Sequence, residues 1–139
     1  MNNLLIVFIV VLQMVAGSAA RADTAAGAQL KLHGYIVDHQ CAGSVQEDPD
    51  PTAFLEHHTK DCALMPSCKA EGYSLYANGK WFELDKRGSN LVIDALKASK
   101  RNNGFYAEVT GSMQGKVLKV QNVTEIQESQ KTQSGKEEK

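Results

Sequence analysis

The sequence predicts a mainly β domain: a small five-stranded OB-like barrel with one helix between strands 3 and 4 and a cysteine-rich helical insertion after strand 1. Two hairpin signals, one amphipathic helical stretch between them, and an alternating strand ahead of the first hairpin carry this expectation. Five strands with a helix between the third and fourth is OB-fold connectivity.

The first strand is read over Leu30 to Asp38, with Leu30, Leu32 and Ile36 on one face and His33 on the other. The central hairpin is the firmest element. Tyr73 to Ala77 and Lys80 to Leu84 flank Asn78-Gly79, a pair suited to the positive φ of a type I′ turn. A two-residue loop sets Leu75 opposite Phe82 and Tyr73 opposite Leu84 on an apolar face. Tyr76 then meets Trp81, and Ser74 meets Glu83, on the other; a one-residue slip would mix the two faces.

Ser89 or Asn90 caps the expected helix, which runs through Leu91, Val92, Ala95 and Leu96 to about Ser99. Lys97, Lys100 and Arg101 near its end complement the helix dipole. A second hairpin follows, Phe105 to Met113 and Lys116 to Ile126 around Gln114-Gly115, with Val123 out of phase and a bulge expected near Asn122. The expected core is Leu32, Ile36, Leu75, Phe82, Leu84, Val92, Leu96, Val109, Leu118 and Val120.

Residues 1–22 read as a signal peptide. Leu4 to Ala16 is apolar apart from Gln13, shorter than the roughly 20 residues a spanning helix needs, and Ala20-Arg21-Ala22 fits a cleavage site. The missing Lys or Arg beside Asn2 and Asn3 keeps an uncleaved anchor as the alternative. Either way the chain is expected to be periplasmic or secreted, in the cell envelope, with the mature protein not embedded in a membrane. Residues 23–126 form one domain, 39–70 its insertion, and the polar stretch 127–139 a disordered tail. Without Arg21 the mature chain keeps 14 basic against 16 acidic residues, a net charge of −2. That balance disfavours nucleic acid as a partner. A small ligand or another envelope protein fits better.

The insertion holds all three cysteines and three of the four histidines. Asp50-Pro51 starts a short helix over Thr52 to about Lys60, burying Phe54 and Leu55, and Pro66 ends any continuation. The opening Gly34-Tyr35-Ile36-Val37-Asp38…Cys41, the His58…Cys62…Cys68 segment and the Gly-Lys-Trp-Phe hairpin together resemble an uncharacterised family of small exported bacterial OB-like proteins. The resemblance spans roughly residues 30–126 and implies a fold and a compartment, not an activity.

Thiol, imidazole and thioether bind soft and borderline metals, and thiols also form disulfides. Cys41, Cys62 and Cys68 with His58 or His57 make a Cys3His zinc set, although Cys-x5-Cys is wider than a standard knuckle. Met65 between two thiols suits copper(I) instead. His58 and Cys62, four apart, share a helix face if the short helix extends that far. Export equally supports a structural disulfide among Cys41, Cys62 and Cys68. Loop entropy gives roughly 2.4 kcal/mol for a Cys62–Cys68 bridge and roughly 3.4 for Cys41–Cys62, too close to choose a pairing. No Cys-x-x-Cys pair favours redox chemistry, and no nucleophile motif, Walker loop or His-Glu-x-x-His supports an enzyme. The functional expectation is therefore a non-catalytic exported binding or accessory protein holding zinc or copper in the insertion. The alternative is a disulfide-stapled module that binds an oligosaccharide or peptide through an exposed Tyr76/Trp81 face.

Overall fold

The computed structural model describes residues 27–127, so the expected signal peptide and nearly all of the expected tail lie outside the described residues. Within them the chain is mainly β, with five strands and five helices. The strands are β1 (Gln29–Asp38), β2 (Tyr73–Ala77), β3 (Lys80–Leu84), β4 (Tyr106–Gln114) and β5 (Val117–Glu125). Four short helices separate β1 from β2: α1 (His39–Val45), α2 (Thr52–His57), α3 (Lys60–Ala63) and α4 (Pro66–Glu71). The long helix α5 (Lys86–Ala98) lies between β3 and β4. No helix among the described residues is long and apolar enough to cross a membrane.

The five strands close into a ring in the order β1-β2-β3-β5-β4. β1 makes this possible by pairing with β4 from Gln29 to Tyr35 and with β2 from Tyr35 to Asp38. Gly34 sits at the changeover, where a Cβ would lie 2.1 Å from the Tyr76 carbonyl oxygen, so only glycine fits. A short parallel pairing of β3 with β5, Glu83 to Val117 and Leu84 to Leu118, completes the ring.

The β2–β3 hairpin has the register read from its sequence, with Leu75 opposite Phe82 and Tyr76 opposite Trp81. Asn78 and Gly79 both adopt positive φ, 52° and 71°, as a type I′ turn requires. The β4–β5 ladder slips between Thr110 and Gly111, leaving Gln121 unpaired beside Asn122, where the bulge was expected. The expected core residues assemble in one cluster with Phe105 and Ala107, but Phe82 is only partly buried at its margin.

Two helical expectations are corrected. α5 begins at Lys86 rather than near Ser89, because Asp85 caps it by accepting from the Gly88 amide at 2.9 Å. The same carboxylate oxygen accepts from the Val120 amide at 3.2 Å, tying the helix start to β5. In the insertion, the helix expected over Thr52 to Lys60 stops at His57. His58 is extended (ψ 122°), Thr59 forms a β-bridge with Asn103, and the Lys60 amide donates to Asn102. These pairings with the loop before β4 replace the helical hydrogen bonds, and Thr59 restarts the chain as the cap of α3. Pro66 occupies the first turn of α4 instead of ending a helix, and Phe54 is exposed while Leu55 is buried.

Outside the ring, Tyr35 and Val37 on the second face of β1 pack with Ala42 of α1 and Leu55 of α2. This smaller core fixes the insertion against the strand end from which it emerges.

Candidate metal centre

The site grows from the junction of β1 and α1. Asp38 ends the strand and caps the helix, its Oδ1 accepting from the Cys41 amide at 3.0 Å. That bond pins the carboxylate, which is fully buried, and leaves Oδ2 3.0 Å from His58 Nε2. Helix α1 presents Cys41, and the Thr59 cap of α3 presents Cys62, so that their sulfurs lie 3.9 Å apart. Extended backbone at His58, held by the Gly104 amide donating to its carbonyl, delivers the imidazole from the end of α2.

One ligand atom from each of Asp38, Cys41, His58 and Cys62 lies within 4.8 Å of the other three. With zinc–sulfur bonds of about 2.3 Å, two thiolates in a tetrahedron sit about 3.8 Å apart; nitrogen and oxygen ligands at 2.0–2.1 Å sit about 3.3 Å apart. The observed 3.9 Å between the sulfurs is close to the first edge, and the 3.0 Å between Asp38 and His58 is shorter than the second. Asp38 Oδ2 and His58 Nε2 face one another as a 3.0 Å ion-pair contact that is not aligned as a hydrogen bond, and neither atom makes an aligned hydrogen bond elsewhere. Two buried polar atoms in that state are costly unless a third species satisfies both.

The electrostatics agree. Burial, against the opposing pull of Asp38, holds His58 below its usual range, which favours the neutral imidazole over the imidazolium. The Cys41 thiol is pushed up to about 12 by burial, then by Asp38 and Cys62. Cys68 is raised by burial and then Asp38. Tyr73, whose hydroxyl donates to the Ala63 carbonyl at 2.6 Å, is pushed up to about 12 by burial and then Asp38. This partly buried cluster disfavours further negative charge, and a bound divalent cation would invert that preference.

The structure thus brings together Cys41, Cys62 and His58 from the expected ligands and adds Asp38. Cys68 is buried nearby, its sulfur 3.9 Å from Gln40 Oε1, and is outside the four-residue cluster. His57 faces outward, bonding the Ala53 carbonyl through Nδ1 at 2.8 Å, and Met65 is 49% exposed. All three cysteines are free thiols here. His58 and Cys62 meet through the break between α2 and α3, not along one helix face. Asp38 was missed as a ligand, although its spacing was informative: a carboxylate three residues before a cysteine is an N-cap that places itself beside that thiol.

Tyr76 and Trp81 pair as expected, ring centroids 4.9 Å apart, but their face is not free. Both rings are half-buried against the Tyr35, Val37, Ala42 and Leu55 cluster. No protein-family model, curated protein or solved structure matches this chain.

Proposed function

We propose that the protein is an exported, non-catalytic accessory protein of the bacterial cell envelope that binds one zinc ion through Asp38, Cys41, His58 and Cys62 on an OB-like domain. The observation that carries the reading is the convergence of four ligand atoms within 4.8 Å, two of them buried and without a hydrogen-bond partner. The donor set favours zinc over copper(I), because a carboxylate and an imidazole complement two thiolates at a borderline cation, whereas copper(I) prefers sulfur. Four protein ligands complete a tetrahedron, the arrangement of a structural rather than a catalytic zinc. The OB-like reading rests on the parallel β3–β5 pairing and on α5 between β3 and β4. Export rests on the apolar leader and the family resemblance of the sequence.

A Cys41–Cys62 disulfide is the runner-up, supported by the 3.9 Å between their sulfurs. Metal analysis and thiol titration of the purified full chain separate the two. The zinc reading expects one zinc per chain, with Cys41 and Cys62 becoming titratable only after chelation and zinc lost in Cys62→Ser. One free thiol, one disulfide and no bindable zinc after reduction would contradict it. His58→Ala should lose zinc and His57→Ala should keep it, since the His57 ring faces solvent.

A further inference from the structure

We propose that the zinc centre is also a thiol switch: a peroxide joins Cys41 to Cys62 as a disulfide, and the metal is released. The switch rests on the zinc reading above, and it makes the runner-up disulfide a second state of the same site. The placement of the three thiols carries it. The Cys41 and Cys62 sulfurs lie 3.9 Å apart on two separate short helices, and both residues are partly exposed. A disulfide needs about 2.05 Å between sulfurs, so each has to move only about 0.9 Å. A modest turn about each Cα–Cβ bond produces that displacement. Cys68 stands apart. It is 2% exposed and its sulfur lies 3.9 Å from Gln40 Oε1, so a dissolved oxidant reaches the other two first. The odd cysteine count thus divides into a reactive pair and a buried bystander.

The step balances with one equivalent of hydrogen peroxide. One thiolate attacks a peroxide oxygen, the O–O bond breaks, and the departing hydroxide takes a proton and leaves as water. The sulfur is now a sulfenic acid, which condenses with a neighbouring thiol. The second thiolate attacks that sulfur. An S–S bond forms, the S–O bond breaks, and the second hydroxide takes a proton to become water. Two electrons have passed from the thiolates to the peroxide, two protons have been consumed, and the charge of the metal is unchanged. Two anionic sulfur ligands have become a neutral disulfide, which leaves only Asp38 and His58 where a closed zinc site needs four ligands. Their Oδ2 and Nε2 atoms already face each other at 3.0 Å. The cross-link spans α1 and α3, which the metal also joins, so oxidation exchanges one tie for another. A dithiol reverses it by thiol–disulfide exchange.

The test uses full-length protein that has been reduced, loaded with zinc and freed of reductant. Zinc content is measured first. Hydrogen peroxide is then added, released metal is followed with a chromogenic chelator, and disulfides are mapped by mass spectrometry after alkylation. The expected result is one zinc released per Cys41–Cys62 disulfide, with Cys68 recovered as a free thiol after unfolding. Without peroxide the metal should stay bound over the same interval. Dithiothreitol followed by fresh zinc should restore the starting content, and Cys68→Ser should release its zinc as the parent does. Zinc that stays bound under a large excess of peroxide overturns the switch and leaves the zinc reading standing, whereas protein that takes up no zinc before oxidation overturns both. A disulfide that includes Cys68, or metal release through sulfinic acid with no disulfide, also overturns the switch.

Discussion

At the scale of single residues, Asp38 does two jobs with two oxygens. One caps α1 and the other faces His58 and the thiols. Asn is as good an N-cap as Asp, so Asp38→Asn separates these roles. We expect the variant to fold and to lose zinc affinity by at least about tenfold, as measured by competition with a chelator, because an amide is a far poorer ligand than a carboxylate. Metal-free protein should also have a bounded pH window. His58 has its pKa lowered from 6.5, so below that value the unfolded chain binds the extra proton and stability falls with pH. Cys41 has its pKa raised from 9.0 to about 12, so above pH 9 the unfolded chain loses its proton first and stability falls again as pH rises. Denaturant midpoints of the metal-free protein should therefore be highest between those limits. A midpoint that keeps climbing from pH 9 to 11 would contradict the burial of Cys41.

At the scale of elements, what the sequence revealed followed local rules. Asn78-Gly79 announces its turn and the alternation around it sets the register, so the β2–β3 hairpin was legible to the residue. The start of α5 was not, because Asp85 stands before Lys86-Arg87-Gly88, a stretch that resembles a loop. Gly88 is there for packing: a Cβ would lie 2.5 Å from Val120 Cγ2. Asp85→Ala should cost about 1–2 kcal/mol by denaturant unfolding, the range for losing an N-cap. Truncating a buried core aromatic costs about 3–5 kcal/mol, but Phe82, expected in the core, is only partly buried at its margin. Leu75→Ala, at a fully buried position, should therefore destabilise more than Phe82→Ala by denaturant unfolding. The break between α2 and α3 was invisible locally, since its cause is the distant pairing of Thr59 with Asn103.

At the scale of the whole molecule, the ring and the insertion are held by different means. The ring has a continuous apolar core, whereas the insertion has a four-residue satellite core and short helices that are marginal alone. A metal bound by Asp38, Cys41, His58 and Cys62 would join the end of β1 to α1, the end of α2 and α3, and would supply what those helices lack. Chelation should therefore raise amide hydrogen exchange across residues 39–71 while the strand amides of the ring stay protected. Three of the four proposed ligands were legible from residue type alone, but the fourth emerged only when the cap placed Asp38 among them.

Zinc K-edge absorption of the reconstituted full-length protein tests the centre most directly. The four-ligand site predicts two sulfur neighbours at about 2.3 Å and two nitrogen or oxygen neighbours at about 2.0 Å. Three sulfur neighbours would put Cys68 in place of Asp38, and a shell of nitrogen and oxygen alone would remove both thiols from the site; either result contradicts it.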